Sequence, residues 1–185
     1  MKIETLETDR TIAHRLQPED RTVLQKLWSD RNVAKTLSAD GQPFPEATIQ
    51  QKLQRMLNHW ETYQFGVWIF REKPIDRSIG YCGLKHSLVD GVEEIELLYA
   101  VVSERWGNGF ATEMGTAVLN VGFETLHLSE IVCFTLTTNR ASQRVMEKLG
   151  FHHDRAFLHV GLPHILYRHD RTTYRNCQPP ISIDP

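Results

Sequence analysis

Apolar positions recur along this chain with two periods, and the changes of period divide it into elements. Thr11 to Leu16 reads as a strand. Pro18 falls where the first turn of a helix tolerates proline, Glu19 and Asp20 suit the positive end of the helix dipole, and Val23, Leu24, Leu27 and Trp28 supply an apolar stripe. Asp40-Gly41-Gln42-Pro43-Phe44-Pro45 predicts a loop. Ile49, Leu53, Met56, Leu57 and Trp60 then mark one face of a second helix.

From Phe65 the period shortens. Phe65 to Arg71, Ser78 to His86 and Glu94 to Val102 predict three consecutive strands, separated by the turn signals Lys73-Pro74-Ile75-Asp76 and Val89-Asp90-Gly91. Helical spacing returns with Phe110, Met114, Ala117, Val118 and Val121. Ile131 to Leu136 is a β-branched and aromatic run, hence a strand, and Ala141 to Leu149 is a helix stopped by Gly150. Ala156 to Val160 and Ile165 to Asp170 predict two closing strands joined through Gly161-Leu162-Pro163. The class is α/β (α+β): a mixed, mostly antiparallel sheet of about seven strands covered by helices. A doubly wound parallel sheet would need repeated strand–helix–strand units, and only Glu94 to Leu136 supplies one. Residues 1–175 read as a single domain, and Asn176 to Pro185, with three prolines, as a loose tail.

Composition narrows the function. The 185 residues are 41% hydrophobic and 24% charged, enough to bury a core and unlike a disordered chain. The net charge of −2 lacks the basic excess of a general nucleic-acid binder. Cys82, Cys133 and Cys177 have no metal-binding spacing and form no disulfide framework. The first residues lack an apolar signal region and no stretch reaches the roughly 18 apolar residues of a membrane span, which reads as a cytoplasmic protein without a membrane partner.

Two segments carry candidate chemistry. Glu104-Arg105-Trp106-Gly107-Asn108-Gly109-Phe110-Ala111-Thr112 joins a strand directly to a helix. A helix start offers unpaired N–H groups and partial positive charge, and small residues at 107, 109 and 111 let an anion approach. Neither the Walker loop nor the dinucleotide fingerprint fits it. A tight strand-to-helix turn is the plainer reading of the two glycines alone. The second segment, Asn139-Arg140-Ala141-Ser142 through Lys148-Leu149-Gly150-Phe151, also follows a strand and opens a helix. Asn139 is placed to cap that helix, with Ser142 three residues on; both could instead merely satisfy helix-start amides.

Together these segments resemble the GNAT superfamily of acyl-CoA-dependent N-acyltransferases. Of the family pattern Gln/Arg-x-x-Gly-x-Gly/Ala, Gly109-Phe110-Ala111 supplies the last three positions, while Trp106 takes the Gln/Arg position and Arg105 stands one place early. The run Trp106-Gly107-Asn108-Gly109-Phe110-Ala111-Thr112-Glu113 is similar to the branch of ribosomal-protein N-terminal acetyltransferases (RimJ/RimL-like), as are Thr8-Asp9-Arg10 and Leu16-Gln17-Pro18-Glu19-Asp20. The resemblance implies a GNAT-like sheet with helices on both faces and acetyl-CoA as co-substrate. It implies that the diphosphate lies on the amides of Trp106, Gly107, Asn108, Gly109, Phe110, Ala111 and Thr112. Tyr99, Val101 and Val102 would then line the pantetheine arm, and Asn139 and Ser142 would touch it from the other side.

The implied reaction is attack of a neutral amine on the acetyl carbonyl, with CoA leaving as thiolate. A lysine-like ammonium has a pKa of about 10.4 and an α-amino group about 7.7–8.0, so a proton must be removed. Glu94 and Glu96 share one face of a strand and are candidate bases, Glu96 the preferred one, with a solvated acidic edge as the plain alternative. Ser142 is the candidate to hydrogen-bond or protonate the sulfur, with Tyr99 as a substitute; Glu113 is explained by the helix dipole. Trp28, Phe44, Trp60 and Trp68 could frame the acceptor, an amine on a small molecule or a protein N-terminus. A homodimer is the other partner considered. The histidines from His152 to His169 lack metal-binding spacing, so no metal is expected. A non-catalytic acyl-CoA-binding regulatory module is the alternative function.

Overall fold

The computed structural model describes residues 3–38 and 40–177. A short hairpin, β1 (Thr5–Glu7) and β2 (Thr11–Arg15), is followed by a 3-10 turn at Pro18–Asp20 and three helices, α1 (Arg21–Ser29), α2 (Arg31–Leu37) and α3 (Glu46–Tyr63). Next come β3 (Val67–Glu72), β4 (Arg77–Val89), β5 (Val92–Val101), α4 (Phe110–Asn120) with a π-helical turn at Val121–Thr125, and β6 (Glu130–Leu136). The chain continues through α5 (Arg140–Lys148), β7 (His152–His159), β8 (Leu162–Asp170) and α6 (Arg171–Cys177).

The eight strands form one sheet in the order β1-β2-β3-β4-β5-β6-β8-β7. Every neighbouring pair is antiparallel except β5 and β6, which run parallel and meet at one bridge, Glu96 opposite Val132. β4 and β5, by contrast, pair along their length from Gly80–Val101 to Val89–Val92. Beyond Glu96 the C-terminal half of β5 therefore parts from β6, and a cleft opens between them. This parting positions the site.

The expected seven strands are eight because β1 is only three residues long and is held by pairing with β2, a signal too short for periodicity. The helix expected after Pro18 is a 3-10 turn followed by α1, and α2 is a further helix where the sequence predicts no element. Asp30 takes an extended conformation (φ −69°, ψ 120°), and its carboxylate accepts the Asn32 N–H at 2.8 Å, starting α2 afresh. The last hairpin turns at Val160-Gly161, not at Gly161-Leu162-Pro163, and β7 begins at His152, because its polar first half is held by pairing with Tyr167 and Arg168. Asn176 and Cys177, expected in the tail, close α6, which Asp170 caps through the Thr173 N–H (2.9 Å) and hydroxyl (2.6 Å). The rest of the expected tail, 178–185, lies outside the described residues.

Trp28, Trp60, Trp68 and Phe70 are almost fully buried in the main core. Trp60 and Trp68 pack edge to face at 4.9 Å, and their indole N–H groups donate to the Val67 and Ile3 carbonyls. These two are core residues. Trp28 and Phe44 reach the cleft.

Candidate active site

A cavity of about 720 Å³ occupies the space between the parted ends of β5 and β6. Its head is the loop from Arg105 into α4. Gly107 (φ 77°) and Gly109 (φ 81°) both take the left-handed conformation that side chains resist, and together they bring successive N–H groups onto the concave side. Nothing stands within 4 Å of a Cβ built on Gly107, and only the Arg10 guanidinium tip, at 3.6 Å, approaches one on Gly109. The N–H groups of residues 107 to 112 have no acceptor among the described residues; the first turn of α4 begins bonding at Glu113 N–H to Gly109 C=O. An unpaired amide row at a helix start is an anion cradle.

The loop is held from three sides. Trp106, at the Gln/Arg position of the pattern that the loop resembles, donates its indole N–H to the Val101 carbonyl at 2.7 Å, tying the loop to the end of β5. Arg105 pairs with Glu72 at 2.9 Å. Glu113 accepts from the Thr8 hydroxyl (2.6 Å), the Arg10 N–H (2.9 Å) and the Arg10 Nε (2.6 Å), while Arg10 also donates to the Asn108 carbonyl and covers the Phe110 ring. Burial raises the Glu113 pKa, but these donors outweigh it and the net shift is downward. Glu113 thus ties the turn between β1 and β2 to the start of α4, beyond complementing the dipole.

Parity along β5 decides which main-chain groups face the cleft. Val102 N–H donates to the Ile79 carbonyl at 2.8 Å, so alternate residues, Ala100 and Leu98, bond toward β4. The main-chain groups of Tyr99 and Val101 point the other way, toward β6, where no ladder continues past Glu96. Val102, expected beside them, does not line the cleft, and Asn108 turns its side chain back onto the Arg105 and Trp106 carbonyls.

Across the cleft, Asn139 caps α5: its Oδ1 accepts the Ser142 N–H at 3.2 Å and its Nδ2 donates to Thr135 Oγ1 at 3.1 Å. One Nδ2 proton has no acceptor among the described residues. The Ser142 hydroxyl meets the Tyr99 phenol at 2.8 Å. Arg144 and Lys148, which the sequence reading did not single out, extend the lining along α5.

Glu96 and Glu94 part company. Glu96 is 7% exposed and lines the cleft. Its Oε2 accepts from Lys85 Nζ at 2.9 Å and from the Ser87 hydroxyl, and Oε1 has no hydrogen-bond partner among the described residues. Glu94 pairs with Arg168 at 2.7 Å, which also holds Asp154 and Glu130, so it belongs to an ion network outside the cleft. Burial pushes the Cys82 and Cys133 thiols up, away from nucleophilic thiolate. No group of three or more His, Cys, Asp or Glu among the described residues could hold a metal ion.

In the far half of the cleft, Trp28 and Phe44 stand where the sequence suggests an acceptor frame, and Lys52, Arg55, His59, Lys85 and His159, which it did not assign to the site, gather there from α3, β4 and β7. His59 donates Nδ1–H to the Phe65 carbonyl (2.8 Å) and accepts the His86 N–H on Nε2 (3.0 Å), which fixes it as a neutral imidazole.

Residues 10–152 match the family model of the acetyltransferase (GNAT) domain. The chain is 30% identical over 149 residues, 79% of its length and 81% of the other, to the uncharacterized N-acetyltransferase YoaA of Bacillus subtilis. Its fold superposes on an acetyltransferase of Agrobacterium tumefaciens with TM-score 0.77 at 23% identity, covering 91% of this chain and 95% of that one. The ribosomal-protein-S5-alanine acetyltransferase of Vibrio fischeri is similar in fold, with TM-score 0.71, 16% identity and 95% and 99% coverage. The chain belongs to the GNAT family and is an acetyl-CoA-dependent N-acetyltransferase.

Proposed function

We propose that residues 1–175 act as one catalytic domain that moves acetyl from acetyl-CoA to a primary amine by direct attack, on a small molecule or a protein N-terminus. The observation that carries this reading is the row of unpaired N–H groups at residues 107–112, at the head of the cleft where β5 leaves β6. That row holds the diphosphate, with Arg144 and Lys148 adding positive charge nearby. Tyr99 and Val101 present main-chain groups to the pantetheine arm, and the free Asn139 Nδ2 proton meets it from α5. Acetyl-CoA supplies the activated acyl group as a thioester.

Glu96 Oε1 is the proton acceptor for the attacking amine. The carboxylate is fixed through its other oxygen by Lys85 and Ser87, so its orientation is set before the substrate arrives. As the N–C bond forms and the C–S bond breaks, one amine proton passes to Glu96. The Ser142 hydroxyl, oriented by Tyr99, hydrogen-bonds or protonates the departing sulfur. Glu96 gives up its proton to solvent, and solvent replaces any proton that Ser142 passes to sulfur, so the products are the N-acetylated amine and CoA as free thiol, with no covalent enzyme intermediate.

The test mixes the purified protein with acetyl-CoA and a panel of primary amines while following release of free thiol. Amine-dependent release, lowered by about 10²-fold or more in Glu96→Gln with CoA affinity unchanged, is expected. Tight CoA binding without thiol release for any amine would support the non-catalytic module instead.

A further inference from the structure

Charge is distributed unevenly around the acceptor half of the cleft. The whole chain carries 21 Lys and Arg against 23 Asp and Glu. Glu96 is nevertheless the one carboxylate residue among the described residues that line the cleft, against Lys52, Arg55 and Lys85 in the half beyond the parted strands. The register sets Lys85 opposite Glu96, which lies five residues before Val101, about 16 Å along β5 from the end of the strand that leads to the diphosphate loop.

The three cations are not equivalent. Lys85 is committed to Glu96 at 2.9 Å. Arg55 is exposed at the rim. Lys52 is partly buried on α3, its ammonium 4.7 Å from the Phe44 ring centroid and 6.0 Å from that of Trp28, with no carboxylate in salt-bridge range among the described residues. Burial first, then the like charges of Lys85 and Arg55, lower its pKa, and Glu96 opposes them only in part. His59 is a neutral imidazole by its hydrogen bonds, and burial and His164 lower the pKa of His159. An ammonium that is half desolvated, crowded by like charge and open to a substrate cleft is relieved by an anion carried in on the ligand.

We propose that the acceptor is an amine that also bears a carboxylate, which binds to Lys52 and Arg55 while the amine faces Glu96. This rests on the acetyltransferase reading above and assigns its acceptor class. A polycationic amine would meet three cations with only Glu96 to offset them. Two sources present the same chemistry: a free amino acid, and a peptide whose first residues are Asp or Glu.

The experiment measures binding, so that it stands apart from turnover. With the protein saturated in CoA, calorimetric titration compares N-acetyl-amino acids with the corresponding N-acetyl-amino-acid amides, and N-acetyl-Asp-Glu peptides with their Asn-Gln counterparts. At least one carboxylate form binds about 10-fold or more tightly than its neutral partner, and whichever pair shows the preference identifies the source. Lys52→Gln abolishes the preference and Lys52→Arg retains part of it, with CoA affinity unchanged in both. Equal binding of carboxylate and amide forms, no binding of any carboxylate form up to about 10 mM, or a preference that survives Lys52→Gln overturns the proposal. Absence of thiol release with every amine would instead overturn the acetyltransferase mechanism.

Discussion

The Tyr99 phenol stands 2.8 Å from the Ser142 hydroxyl and 3.2 Å from the Ser142 carbonyl, joining β5 to the first turn of α5 across the cleft. Burial pushes the Tyr99 pKa well above its ordinary value, so the phenol keeps its proton and can donate it to Ser142 Oγ. The Ser142 carbonyl competes for that proton at 3.2 Å; when the phenol donates to Oγ instead, the serine proton is free for the cleft. Ser142→Ala should lower kcat by about 10²-fold with CoA affinity within about 3-fold of wild type. Tyr99→Phe should lower kcat by about 10-fold, and the double variant should be no slower than Ser142→Ala, because the two hydroxyls act as a unit. Steady-state thiol release and CoA titration read both quantities. Wild-type turnover in Ser142→Ala would remove the serine from the chemistry.

The amide row makes a prediction that separates blocking from strain. Gly109→Val places a branched side chain at a positive φ on a loop glycine that lines the cleft, where the Arg10 guanidinium tip stands 3.6 Å from the new Cβ. CoA Kd should rise by about 10²-fold. Gly161→Val imposes comparable strain (φ 76°) at a hairpin turn that does not line the cleft, where a Cβ meets nothing within 4 Å. It should lower Tm while leaving CoA affinity as it was. An unchanged Kd in Gly109→Val would count against the loop.

Glu113 ties the N-terminal hairpin to the start of α4 through hydrogen bonds to a carboxylate that is 17% exposed. Glu113→Ala should cost about 2 kcal/mol of unfolding free energy, since hydrogen bonds to charged groups contribute about 1.5–3 kcal/mol each before the survivors rearrange. Arg10→Ala should cost less than Glu113→Ala, because Thr8 still donates to the carboxylate. The double variant should cost clearly less than the sum. Urea unfolding of the four proteins closes the cycle; strict additivity would show that the contact contributes nothing to stability.

Stability should depend on pH near neutrality through imidazoles that are buried, as His169 is, or partly buried, as His59 and His159 are. Burial is the first cause lowering the pKa of His59, His159 and His169, and protonated His59 could no longer accept the His86 N–H. The unfolded chain takes up these protons near pH 6.5, and the folded protein only at lower pH. Stability is therefore full above about pH 6.5, declines as pH falls below it, and levels off once the folded imidazoles are themselves protonated. Calorimetric Tm at fixed ionic strength should fall between about pH 7 and 5.5, with a shallower decline in His59→Gln. A flat Tm over that window would contradict the neutral-imidazole assignment.

Local chemistry made much of this molecule legible in advance. The stripes on α1, α3 and α4, the strands from β3 to β6, the strand-to-helix loop with its two left-handed glycines, and the Asn139 cap all depend on residues within a turn or two of one another. Where a feature needed a distant partner, the same reading fell short. β1 exists because β2 pairs with it, and the polar start of β7 is a strand because β8 lies alongside. Val102 was grouped with Tyr99 and Val101, but hydrogen-bond parity, set by Ile79 on the neighbouring strand, turns it away.

Glu94 and Glu96 show the division most plainly. Alternation along a strand places both carboxylates on one face, so the sequence could rank Glu96 first without showing what either carboxylate meets. The fold separates them by what it packs opposite. Arg168, from a strand formed 74 residues later, draws Glu94 into an ion network, while Lys85 and Ser87 hold one oxygen of Glu96 at the wall of the cleft. Lys52 acquires its crowded setting in the same way, from Phe44, Trp28 and Lys85 meeting across three elements. Backbone conformation and capping are short-range and were written in the residue order. Burial, ion pairing and the charge of the cleft are sums over neighbours that meet only when the sheet assembles.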